Sequence, residues 1–241
     1  MSVWLHSFCS RSFSCVEKKL RLTEQKALWY ILGVKNSTLI YLLYNEIKRP
    51  DIISKIKDLQ YNFYQKVKEF TEEEAVVRSI LRICSNTSMV HYYDSLSSDN
   101  KENNIRERER RISCATTAML QYYTTVVDVK SESSIYNNYI DDHCRNIITR
   151  WRLLNHRLRI ETCRYQLPRI EREDRKCYEC DIKEDERHAI FVCTAFAFIR
   201  GRYELLLEKY PSVKLFLNPE ARDVYDVANF LSEINGILNR R

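Results

Sequence analysis

The sequence predicts an all-α protein, a multi-helix domain ending in a small cysteine and histidine motif. Three glycines and four prolines in 241 residues are too few turn formers for the many tight turns of an all-β fold. Apolar residues recur at helical spacing along most of the chain. With 30% charged and 44% hydrophobic residues the composition is globular, and no apolar run approaches the roughly 18 residues of a membrane span.

The elements follow in order. Residues 16–33, VEKKLRLTEQKALWYILG, place Val16, Leu20, Ala27, Leu28 and Ile31 near helical spacing, with Gly33 as the C-terminal stop. Residues 37–47 are apolar enough for a short buried helix opened by Ser37 or Thr38. After Pro50, Asp51 caps a helix carrying Ile52, Ile56, Leu59, Phe63, Val67 and Phe70. Thr71 with Glu74 reads as a capping box for a fourth helix. DSLSSDNKENN, residues 94–104, reads as a linker, and a helical pattern resumes through Ile105, Ile112, Met119 and Tyr123. VKSESSIYNN reads as a loop. The chain therefore divides into a helical segment over 1–95, a linker with a connecting helix over 96–135, and a C-terminal part over 136–241.

YIDD, residues 139–142, matches the Tyr-x-Asp-Asp at which reverse transcriptases hold catalytic metal. In a polymerase that tetrapeptide lies in a hairpin flanked by apolar strands. Here the flanks are polar SSIYNN and basic, helix-forming HCRNIITRW. Asp141 and Asp142 are better read as acids in the first turn of a helix, where the dipole favours negative charge.

That helix is amphipathic. On a regular wheel Ile147, Trp151, Leu154 and Leu158 line one face; Arg145, Arg152, His156 and Arg159 fall opposite, with Arg150 and Arg157 on a flank. From Arg145 to Lys176 ten Lys or Arg stand against four acids, a net of +6 that equals the net charge of the whole chain. A positive excess confined to one window is the footprint of a surface that meets phosphates. The plainer alternative is a solvated face paired with acidic helices elsewhere.

Beside this window lies CYECDIKEDERHAIFVC, that is Cys177-x2-Cys180-x7-His188-x4-Cys193. Two thiols separated by two residues reach one tetrahedral ion, and a later His and Cys complete a closed CCHC zinc site with no open position for a catalytic water. His188 and Cys193 are five apart, about 140° around a regular helix, so the helix must begin, bend or end between them. The nine cysteines, an odd number without a secretory signal, favour a reducing intracellular compartment, nuclear or cytoplasmic.

The stretch from Arg150 to Cys193 resembles the region that follows the polymerase domain in reverse transcriptases of non-LTR retrotransposons. Arg150, Arg152, His156, Leu158, Ile160, Glu161 and Arg164 match one block of that pattern. Arg175, Cys177, Cys180, Glu184, Asp185, Glu186, His188 and Cys193 match the next, and Gly33, Thr38, Tyr44 and Glu46 match a segment just beyond the palm. Two departures stand out: Cys163 replaces a usual glycine and Thr194 a frequent proline. The resemblance implies thumb-like helices and a zinc-binding tail that hold nucleic acid, with fingers and palm lying upstream of this chain.

The expected function is therefore a non-catalytic, nucleic-acid-binding C-terminal fragment of a retroelement reverse transcriptase. Its expected contacts are Arg145, Arg150, Arg152, His156, Arg157, Arg159, Arg164, Tyr165, Arg169, Arg172, Arg175 and Lys176. Tyr165, in the basic loop, is the stacking candidate, whereas Trp151 is assigned to the core. The expected cofactor is Zn2+, and the expected partners are RNA, DNA or both, with retroelement RNA or a separately encoded reverse transcriptase as the candidates. The alternative is a zinc-stabilised helical module that docks proteins.

Overall fold

The computed structural model describes residues 2–69, 106–107, 109–112, 117–128, 134–136 and 140–240. The Thr71/Glu74 capping box, the 94–104 linker and Tyr139 lie outside the described residues. Helices dominate, and among the described residues the only β feature is an isolated antiparallel bridge between Lys176 and Lys183. No described helix is long and apolar enough to cross a membrane.

The chain forms two compact units: Met1–Ala27 with Arg49–Arg110, and Leu28–Lys48 with Arg111–Arg241. This differs from the expected division into three consecutive segments, because Leu28–Lys48 joins the C-terminal residues. The first unit contains most of α1 (Ser2–Ile31) and α3 (Ile52–Glu69). Asp51 caps α3 as expected, its Oδ1 accepting from the N–H groups of Ile53 at 3.1 Å and Ser54 at 3.2 Å. Glu24 accepts from the Ile52 N–H at 3.0 Å, and Arg21 pairs with Asp51 at 3.0 Å.

The second unit is built from α2 (Ile40–Ile47), α4 (Ala118–Val126), α5 (Asp142–Arg152), α6 (Arg159–Thr162), α7 (Ala197–Arg202), α8 (Glu204–Lys209), α9 (Val213–Phe216) and α10 (Val224–Leu238). Helices α5 and α10 pack on each other. Its core contains Leu42, Leu43, Tyr123, Ile148, Trp151, Phe196, Phe216 and Phe230, all fully buried. The Phe216 and Phe230 rings meet edge to face at 5.1 Å between centroids, a favoured aromatic geometry.

Local chemistry sets the ends of these helices. Gly33 has φ +60°, the left-handed conformation expected of a residue that stops α1. At α2 neither Ser37 nor Thr38 caps; Leu39 holds the N-cap without a side-chain bond. Thr38 is instead buried, its carbonyl accepting from the Trp29 indole N–H at 3.1 Å. Helix α5 opens as expected: Asp141 Oδ2 accepts from the His143 N–H at 3.0 Å, and Asp142 pairs with Arg145 one turn on. Asp141→Ala is expected to cost about 1 kcal/mol in chemical denaturation, whereas Asp141→Asn keeps an acceptor and costs only a few tenths.

The other end of α5 departs from expectation. The wheel runs through Leu158, but the helix stops at Arg152. Leu154 takes φ 53°, the Asn155 N–H returns to the Arg150 carbonyl at 2.7 Å, and the Leu154 N–H to that of Trp151 at 3.4 Å. This is a Schellman turn with leucine where glycine is usual. Asn155 holds it from outside the helix, its Nδ2 donating to the Leu153 carbonyl at 2.8 Å and to the Thr38 hydroxyl at 3.1 Å. His156, Arg157 and Arg159 therefore do not lie on α5, and the wheel does not decide where they point.

Candidate metal centre and basic surface

After α6 the chain has little apolar content of its own, and hydrogen bonds give it shape. The Lys176–Lys183 bridge closes a turn in which the Cys177 N–H donates to the Ile182 carbonyl at 2.7 Å and the Asp181 N–H to that of Cys177 at 3.1 Å. Asp181 takes φ 52°, which lets the chain reverse just after Cys180. His188 opens the next element, its N–H held by Asp185 Oδ1 at 2.9 Å. Residues His188–Val192 form a π-turn, closed by the Cys193 N–H on the His188 carbonyl at 2.7 Å. An i to i+5 bond replaces the usual i to i+4 register, and this removes the 140° mismatch between His188 and Cys193.

Cys177, Cys180, His188 and Cys193 each offer a ligand atom, all within 4.8 Å of one another, and can hold one metal ion. Cys193 Sγ lies 3.6 Å from that of Cys177 and 3.9 Å from that of Cys180. Burial pushes the Cys193 thiol up to about 12. The Cys180 thiol is lowered by the Thr194 hydroxyl at 3.2 Å and then by the Thr194 N–H at 3.4 Å. Proline at 194 would lack that N–H, so the departure from the resembled pattern adds a bond to a candidate ligand.

A polar frame ties this centre to the end of α5. His156 Nδ1 accepts from the Leu158 N–H at 3.4 Å, leaving Nε2–H to donate to Glu186 Oε1 at 2.7 Å. Glu184 accepts from the Arg159 N–H at 2.7 Å, and its carbonyl accepts from the Ile160 N–H at 3.2 Å. Arg175 donates to the Ile160 carbonyl at 2.7 Å and, through Nε and Nη2, to that of Ile170 at 3.1 Å.

Three expected nucleic-acid contacts are thereby corrected. His156 and Arg175 are buried in this frame. Arg152 is fully buried, donating to Glu46 Oε1 at 2.5 Å, the Leu217 carbonyl at 2.7 Å and Asn218 Oδ1 at 3.0 Å. Each already spends its donors on protein acceptors, so none presents charge to a phosphate.

The other expected residues reach the surface wholly or in part. Arg157, Arg169 and Arg172 are exposed, as is Lys176, whose Nζ lies 3.3 Å from Asp181. Arg145 is half-buried against Asp142, and Arg164 stands 3.6 Å from Glu161. Arg150 is exposed with its Nε held by the Gly33 carbonyl at 2.6 Å. Tyr165 is 66% exposed, whereas Trp151 is fully buried, both as expected.

Two residues, Tyr178 and Lys35, escaped the sequence reading. Arg159 lies over the Tyr178 ring at 4.1 Å, a cation–π pair next to the candidate ligand Cys177. Lys35 meets Arg150 and Arg157 in a cleft of about 460 Å³. Only the fold joins Lys35 to those arginines, so no local spacing could have signalled it. Asp141 and Asp142 stand outside the candidate metal cluster, one capping α5 and the other paired with Arg145. Compared with protein-family models, curated proteins and solved structures, the chain matches none of them.

Proposed function

We propose that this chain is a zinc-bearing, non-catalytic nucleic-acid-binding segment, the C-terminal fragment of a reverse transcriptase of the non-LTR retrotransposon type. Zinc suits the donor set: tetrahedral bonds of about 2.3 Å to sulfur imply sulfur separations near 3.8 Å, against 3.6 and 3.9 Å here. When bound, the ion supplies a structural cross-link, because four protein donors leave no position for a reacting water.

The observation that carries the binding reading is the placement of charge. Of the ten cations between Arg145 and Lys176, only Arg152 and Arg175 are buried, and among the four acids Glu161 is buried. Eight cations and three acids therefore face solvent at least in part, and Tyr165 stands exposed among them. Residues of the separate resembling stretches bond one another in this unit: Gly33 with Arg150, Glu46 with Arg152, His156 with Glu186.

Phosphate contact releases counterions, so binding to single-stranded and duplex oligonucleotides is expected to weaken linearly on a log–log plot against salt, with little sequence preference. Arg169→Glu with Arg172→Glu is expected to lower both the affinity and the slope. Affinity that stays flat as salt rises would sink the proposal. A protein-docking module is the second reading, favoured by Phe198 and Leu205, which are 80% and 81% exposed. It predicts a protein partner lost on Phe198→Ser while oligonucleotide binding is absent in the wild type.

A further inference from the structure

We infer that the cleft between the Gly33–Lys35 loop and the end of α5 is a subsite for one backbone phosphate of a nucleic-acid strand. The inference rests on the binding reading above and assigns it a place. The cleft, of about 460 Å³, is lined by Lys35, Arg150 and Arg157 together with Gly33, Asn155, His156 and Thr162, a volume within the range of small-ligand pockets.

Its floor is already satisfied by the protein. Asn155 Oδ1 accepts from the Lys35 N–H at 2.9 Å and its Nδ2 donates to Thr38 and Leu153. Both His156 ring nitrogens are engaged, and the Thr162 hydroxyl donates to the Leu158 carbonyl at 3.3 Å. What remains for a ligand is positive charge. Among the described residues no carboxylate forms an ion pair with Lys35, Arg150 or Arg157. An occupant must therefore bring negative charge and acceptor oxygens without needing donors, which describes a phosphodiester.

The cleft is also held in shape. Arg150 lies against Gly33 so closely that a Cβ on that glycine would stand 2.5 Å from Nη2, and the Gly33 carbonyl fixes Nε. The guanidinium is oriented before any ligand arrives, so less of its rotamer freedom is lost on binding. The Lys35 backbone is pinned to Asn155, which the Schellman turn at Leu154 carries to this side.

The test is a salt titration of a labelled single-stranded oligonucleotide with the full chain, comparing wild type, Lys35→Gln with Arg157→Gln, and Arg169→Gln with Arg172→Gln. Loss of one phosphate contact predicts that the cleft variant, melting like wild type, loses about 0.7 from the slope of log K against log salt, the single-strand value. An unchanged slope in the cleft variant, alongside a lowered slope in the Arg169 and Arg172 variant, overturns the subsite and leaves nucleic-acid binding standing. A wild type that binds no oligonucleotide overturns both. A polyglutamate peptide that binds wild type but not the cleft variant, while oligonucleotide binding is indifferent to it, overturns the inference in favour of an acidic protein.

Discussion

Replacing the candidate metal ligands is expected to dissolve the turns that carry Cys177–Cys193 while sparing the helical core. Purified protein should carry one zinc per chain by mass spectrometry, and Cys177→Ser with Cys180→Ser should carry none. The expected effect is large because residues 164–187 bury almost nothing apolar beyond Cys177. Structural zinc contributes on the order of 10–16 kcal/mol of apparent binding free energy near neutral pH, far more than a few turns and one β-bridge provide. Amide exchange should rise at Cys177, Asp181, Glu184 and Cys193, whose N–H groups close the turns. Helices α5 and α10 should stay protected, since they pack on each other. A metal-free variant with undiminished protection at those four amides would remove zinc from the account.

The same centre should respond to pH in one direction. Metal binding requires thiolates, and burial holds the Cys193 thiol near 12 when no ion is present. The incoming ion must therefore displace a proton, and protons compete better as pH falls. Acidification should release the metal and alkaline conditions retain it.

Sequence reasoning succeeded where the physics is local. Asp51 and Asp141 are caps because a side-chain oxygen reaches an N–H two or three residues on, a relation written into consecutive positions. The Cys177/Cys180 spacing is likewise local, and the four candidate ligands do converge. It failed where partners are distant. Nothing near Arg152 announces Glu46, Leu217 or Asn218, and nothing near His156 announces Glu186. The helical period of Leu154 and Leu158 was real as a pattern, yet the Schellman turn ended α5 first. Charge alone was therefore read as surface, although two of the cations in the basic window are buried.

Glu46→Gln is expected to destabilise the second unit by about 3–5 kcal/mol, the usual cost of leaving one member of a buried ion pair without the other. Arg152 and Glu46 are fully enclosed and bonded at 2.5 Å. Glu46 also accepts from the Tyr123 hydroxyl at 2.8 Å, and Asn45 donates to that hydroxyl at 3.1 Å. Arg152→Met should cost a similar amount, because it strands the Glu46 carboxylate and the Leu217 carbonyl together. The double variant should cost clearly less than the two singles added, since it removes both charges at once; urea denaturation of all four proteins gives the coupling. Additive singles below about 1 kcal/mol would mean that water reaches the pair and that it contributes as a surface bridge does. The outcome also constrains how nucleic-acid binding is tested. A charge reversal at Arg152 should abolish binding by unfolding the unit that presents the surface, so only substitutions at exposed cations such as Arg157, Arg169 and Arg172 can separate contact from collapse.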